Sequence, residues 1–290
     1  MKSKYKGILY IIASAFCFAL MNAFIRLSGD LPSLQKAFFR NFVALLFAYG
    51  VMRKEHVKMG WNKGDGKYLF FRAFFGTCGI ICNFYAVDHL VLSDASMLNK
   101  MSPFFAIIFS FLILREKVNM VQFVSVIVAF TGCLFIVKPT FSNMDLIPSL
   151  IGLCGGLGAG IAYTMVRILG KRGVKGPFIV FFFSTFSCLV TLPYLIFYYE
   201  PMSPEQLGYL LLAGLAATGG QFGITAAYFH APAIEISVYD YSQVVFAAVI
   251  GFFLFGQIPD KYSFFGYILI CTTAVVMFLY NKRKAAEVQN

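Results

Sequence analysis

Two short polar pairs interrupt apolar stretches of this 290-residue sequence: Asn99 with Lys100 and, 141 residues further on, Asp240 with Tyr241. An ionisable group at membrane depth is costly to insert and is a functional candidate by default. Lys100 suits a carboxylate or a phosphate, and Asp240 an amine or a proton. Brought together, each would keep the other charged, whereas apart, desolvation would drive both toward neutrality. Breaking such a pair can couple solute movement to protons; a fixed ion pair that only keeps two parts of the chain in register is the alternative. Tyr85, Tyr163 and Tyr228 set a hydroxyl beside an apolar ring, as Tyr241 does, while Gln221 and Gln243 bring neutral polar groups that must find partners. Arg40 has the reach either to snorkel to the headgroups or to touch a solute. Pro103 frees a backbone carbonyl near Asn99 and Lys100 and is the expected hinge.

These residues must be positioned by membrane helices. The chain is 59% hydrophobic and 13% charged, against about 45–50% and about 25% in a typical soluble domain. Crossing a bilayer takes about 20 apolar residues of helix. Ten stretches qualify, at 7–27, 34–53, 68–87, 95–114, 120–138, 148–169, 177–199, 207–229, 236–256 and 262–281. The first is 21 residues long, more than the apolar core of a secretory signal, and is read as an uncleaved helix. The net charge of +11 lies in the loops and does not call for nucleic acid. With the N-terminus in the cytoplasm, sixteen Lys and Arg fall inside, among them Lys58, Lys63, Arg115 and Lys117, and four outside, namely Arg26, Lys36, Lys138 and Lys261. Both termini are thus expected to be cytoplasmic in a multi-pass protein of the cytoplasmic membrane. Arg26, Arg72 and Arg167 are read as interfacial anchors, and His89 and His230 as capping or loop residues.

A shift of 141 residues aligns the two halves without a gap: Thr77 meets Thr218, Gly79 meets Gly220, His89 meets His230, and Asn99 meets Asp240. A unit of five helices has an odd number of crossings, so its second copy must enter from the other side. The expected architecture is therefore all-α, with ten transmembrane helices as two inverted five-helix repeats, residues 1–140 and 141–290. Inverted repeats give two near-equivalent conformations around a site near the midplane, the basis of alternating access. The seven cysteines fall in apolar stretches and are read as small buried residues. Cys78 and Cys82 share a helical face but lack a nearby His or carboxylate, so no metal is expected. Gly155, Gly156, Gly158 and Gly160 lack the strand and the Lys-Ser/Thr of a phosphate loop, and fit close helix packing.

The segment Ala95, Ser96, Met97, Leu98, then Ser102, Pro103, Phe104, Phe105 and an apolar run ending at Arg115 and Glu116, resembles the EamA-type branch of the drug/metabolite transporter superfamily. The second half departs from the pattern, with Val244 at the proline position and Gln257 at the glutamate position. The resemblance implies a ten-helix carrier with a cavity lined partly by the third, fourth, eighth and ninth helices. It also implies a cargo among amino acids and related metabolites, nucleotide derivatives, vitamins or drugs. The expected function is secondary-active transport of an amino acid or related compound, with proton-coupled export the first reading. Uptake or exchange of a nucleotide-derived metabolite or vitamin is the alternative. An integral membrane enzyme lacks its ingredients here, since Gly-x-Ser-x-Gly and His-Glu-x-x-His are missing; a non-transporting membrane partner stays open. The expected partners are a small-molecule solute and the lipid bilayer, with no cofactor, and the protein is expected to act as a monomer or homodimer. Tags placed in the loops after the second and seventh helices are expected on opposite faces of the membrane. Finding both on one face would rule out inversion.

Overall fold

The structure, a computed structural model, describes residues 2–57, 60–62, 64–114, 119–137, 145–230 and 237–289. They form eleven α-helices and one 3-10 turn, with no strand among the described residues. The helices are α1 (Lys2–Leu27), α2 (Ser33–Lys54), α3 (Gly66–His89), α4 (Leu92–Asn99), α5 (Ser102–Leu114), α6 (Met120–Val137), α7 (Leu146–Lys171), α8 (Gly176–Phe197), α9 (Pro204–His230), α10 (Ser242–Phe255) and α11 (Lys261–Gln289); the 3-10 turn Ser237–Tyr241 precedes α10. Seven described helices are long and apolar enough to cross a membrane. The fourth expected span is interrupted after Asn99, and the described residues of the ninth form the 3-10 turn and the short helix α10. The second, α2, carries Lys36, Arg40, Arg53 and Lys54.

Helix ends are closed by local chemistry. Asn119 and Gln122 cap α6 reciprocally, each side chain accepting the other's backbone N–H, and Ser203 and Gln206 do the same for α9. Gly256 ends α10 at φ 61°, a left-handed conformation that a side chain resists.

Packing follows the repeat. Helix α1 lies along α9 as α3 lies along α7, α1 touches α10 as α7 touches α5, α2 packs on α8, and α6 packs on α11. Exchanging the halves reproduces the same list, so the bundle has an approximate twofold axis. Small residues permit these close crossings. A methyl on Gly158 would come within 2.8 Å of the Phe75 carbonyl oxygen, one on Gly156 within 2.5 Å of the Leu98 carbonyl oxygen, and one on Gly160 within 2.9 Å of the Ser102 carbonyl oxygen. The glycine run therefore packs helices.

The cysteines depart from expectation. Cys133 and Cys188 are buried, but Cys78 and Cys154 lie exposed on the protein surface, where the apolar setting that sequence suggests is provided by the bundle's outer face; all seven are free thiols.

Replacing Gly158 by Leu should cost about 1–3 kcal/mol through overpacking at α3. The readout is a lower melting temperature and loss of a monodisperse elution peak. Gly208→Leu, at a position with open space around it, should leave both unchanged.

Candidate functional site

The fourth span stops at Asn99 and restarts at Ser102, with Lys100 as the cap of α4. At the equivalent place in the second half, the 3-10 turn ending at Tyr241 passes directly into α10 at Ser242. Pro103 is the second residue of α5, in the first turn, where a missing N–H costs nothing. The bend expected at this proline is thus a full break three residues upstream. Two contacts join the two places. Lys100 Nζ lies 2.5 Å from Asp240 Oδ2, and the Tyr241 hydroxyl donates to the Lys100 carbonyl at 3.2 Å. Asp240 Oδ1 is buried and has no hydrogen-bond partner.

The ion pair opens onto a central cavity of about 100 Å3. Twelve lining residues fall into six pairs related by the 141-residue register: Phe18 and Ala159, Met21 and Ala162, Asn22 and Tyr163, Ile80 and Gln221, Asn83 and Ile224, Asn99 and Asp240. The cavity therefore straddles the axis relating the halves. Gln243 lines it as well. Within the wall, Asn83 donates to the Asn22 side-chain oxygen at 3.2 Å, and Asn22 donates to the Ser96 hydroxyl at 3.4 Å.

One part of the wall breaks the symmetry. Arg40, Arg72, Gly76 and Phe183 line the cavity, while their counterparts Phe181, Ala213, Ala217 and Phe42 do not. Arg40 is 2% exposed and Arg72 7%. Arg40 donates to the Asn41 side-chain oxygen at 2.5 Å, and Asn41 in turn donates to Ser187 on α8 at 2.8 Å. Arg72 lies over the Phe183 ring, 4.2 Å from its centroid, and its guanidinium fills the space beside Gly76 that a methyl would need. Among the described residues, neither arginine pairs with a carboxylate, and the Nε of each is buried without a partner.

The sequence had placed Arg72 at the interface; the structure turns it inward, because Gly76 one turn later leaves room for the side chain to lie along the helix toward the centre. Arg72, Gly76, Asn83 and Phe183 are thus among the wall residues not picked out from sequence, and for Arg72 the Arg-x-x-x-Gly spacing was the available signal. For Arg40, burial rules out snorkelling. Tyr85 does not line the cavity: its ring stacks on His89 at 4.1 Å between centroids, and its carbonyl contacts the His89 ring nitrogen. Tyr241 is also not part of the wall, since its hydroxyl is spent on the helix break. The side chains of Tyr228, Arg167 and His230 lie outside the described residues, as do Glu116 and the loop cations Lys58, Lys63, Arg115, Lys117 and Lys138.

Bonds between the halves gather at one end of the bundle. Gln35 exchanges two hydrogen bonds with the Glu200 backbone, Gln206 donates to the Ser28 carbonyl, and Gln257 accepts from the Leu92 N–H. Ser263 and Tyr267 donate to Asp94. Within the first half at this end, Lys36, fully buried, meets both oxygens of Asp88 at 2.7 Å, and Arg26 donates to the carbonyls of Val87 and Leu90. Lys36 and Arg26 are therefore internal partners here and not a loop cation and an anchor. At the other end, Arg172 pairs with Asp65, and Trp61 packs on Phe178 and Phe182.

A double-mutant cycle on the ion pair, Lys100→Met with Asp240→Asn, should give a coupling of about 0.5–3 kcal/mol in unfolding, the double variant being less destabilised than the sum of the singles. A value near zero would mean that the two charges act independently.

Comparison with known proteins places this geometry. Residues 5–138 and 148–279 match the EamA-like transporter family. The chain is 31% identical to the pseudopaline exporter of Pseudomonas aeruginosa, covering 93% of this chain and 95% of that one. It is 24% identical to the S-adenosylmethionine uptake transporter of Rickettsia prowazekii, over 98% and 96% of the two chains. A solved crystal structure with 11% identity superposes with a TM-score of 0.66 over 96% of this chain and 98% of that one, which concerns the fold alone. An all-helical bundle built on a repeat, with a broken helix beside a central polar cavity and a match along nearly its full length, belongs to the EamA-like transporter family of the drug/metabolite transporter superfamily, and this multi-pass membrane protein is one of its transporters.

Proposed function

We propose that the protein carries a small organic metabolite, an amino acid or related compound, across the cytoplasmic membrane by alternating access, and that it works as a proton-coupled exporter. The observation that carries this reading is the Lys100–Asp240 contact, made between the α4 break and the matching 3-10 turn before α10, and facing a cavity lined from both halves. Broken helices place backbone groups and charges beside a solute at the one depth where irregular backbone is tolerated, next to a cavity. In this reading residues 1–140 and 141–290 each cross the bilayer five times in opposite senses, and both termini are cytoplasmic. The end tied by Gln35, Gln206 and Gln257 then faces outward, which makes the described state closed to the outside.

Asp240 exchanges partners during the cycle. Lys100 and Asp240 are the coupling residues in this reading, and their contact is broken when a solute or the movement of α4 draws Lys100 away. Similarity over the whole chain to an exporter supports the outward direction. Similarity to an uptake transporter supports the second reading, import or exchange of a nucleotide-derived metabolite.

The test is counterflow of labelled metabolites into proteoliposomes. Wild-type protein should accumulate its cargo with a pH-dependent rate, and Asp240→Asn should lose that dependence together with most of its coupled transport. Unchanged transport and pH profile in Asp240→Asn would remove this residue from the mechanism, and absence of counterflow for every metabolite class would remove the carrier reading.

A further inference from the structure

The charged side chains on the cavity wall do not balance. Arg40, Arg72 and Lys100 stand against a single carboxylate, Asp240, and that carboxylate is engaged by Lys100. Two guanidinium groups nine-tenths buried without a counter-charge are an unfavourable arrangement unless something anionic visits them. Arginine offers a planar fork of donors that matches a carboxylate in bidentate fashion. Here both forks are pre-positioned, Arg40 by its bond to Asn41 and Arg72 by the Phe183 ring and the open side of Gly76. Unused hydrogen-bonding capacity remains on both sides of the cavity, at the two Nε atoms and at Asp240 Oδ1. The first kind seeks an acceptor and the second a donor.

We propose that Arg40 and Arg72 form an anion subsite and that the cargo is a net-anionic amino acid derivative, its carboxylate end on the arginines and its amine directed to Asp240. This rests on the transport reading and narrows its cargo class. The counterparts Phe181 and Ala213 cannot bind an anion, so the solute has one orientation in the cavity although the walls around it are related by symmetry. A phosphate would satisfy the same arginine donors, and the experiment separates the two.

The experiment reads the local potential directly. Tyr163, a cavity residue 47% exposed, is replaced by Cys in a protein whose other accessible cysteines are removed. Its rates of reaction with a sulfonate and with a trimethylammonium methanethiosulfonate are compared with those of a free thiol. The arginines should favour the anionic reagent by about tenfold. Arg40→Gln and Arg72→Gln should each reduce that preference, and Arg72→Lys should retain part of it. Millimolar glutamate should slow labelling, while glutamine and putrescine should not. A reagent preference no greater than that of the free thiol, or protection by glutamine equal to that by glutamate, overturns the proposal. Protection by inorganic phosphate in place of glutamate overturns its carboxylate part. If the cysteine-depleted protein does not fold, thermal stabilisation of the native chain by glutamate, glutamine and phosphate gives the same decision. A preserved reagent preference in a protein that shows no counterflow would leave the anion subsite standing and remove only the transport reading.

Discussion

A helix that stops partway through an apolar layer leaves carbonyl and amide groups with no water to turn to. This chain stops α4 in that way and sets a 3-10 turn at the matching place in the second half, and much else in it can be understood as support for those two irregularities. At the first, the Tyr241 hydroxyl takes the Lys100 carbonyl, and Gly156 lets α7 approach the last turn of α4. At the second, Asp240 is held by the ammonium of Lys100. Each is stabilised by a residue of the other, so neither half would tolerate its own irregularity alone. The same exchange sets charged groups and irregular backbone at the edge of a cavity, where solute can reach them.

Symmetry and its violation divide the labour in the cavity. Six pairs of equivalent positions line the cavity from both halves, although the two residues of each pair differ in type. The arginine cluster has no twin. Arg72 comes from the first half and the ring it rests on, Phe183, from the second, so relative movement of the halves changes the surroundings of that charge.

Much of the fold was legible because apolar length and a gap-free register are properties of the linear chain. The pairing of Lys100 with Asp240 was legible for the same reason, since Asn99 and Lys100 fall on Asp240 and Tyr241 in the register, and such matching segments of inverted copies converge near the axis. The break was not: Leu92 to Leu114 is apolar enough to read as one helix, and the interruption at Lys100 depends on packing against α7 and on the Tyr241 hydroxyl, both distant in sequence. Arg72 was misread because position along a helix says how far a residue is from the end and nothing about which way a long side chain lies; Gly76 decides that. Tyr85 and Tyr241 illustrate the converse, since a phenol placed near a cavity by register can still face a neighbour, as at His89, or a carbonyl, as at Lys100.

Among the described residues, the ties between the halves at the Gln35 end are mostly amide and hydroxyl hydrogen bonds, with the Asp94 carboxylate also taking part. Hydrogen bonds of this kind contribute about 0.5–1.5 kcal/mol each, because water can replace the lost partner. Such a latch adds up to about a few kcal/mol and is cheap to rewet. A ligand that binds the opened form about a hundredfold more tightly would offset about 2.7 kcal/mol of it. In the proposed cycle, a latch of that size is one that solute in the cavity could help to release.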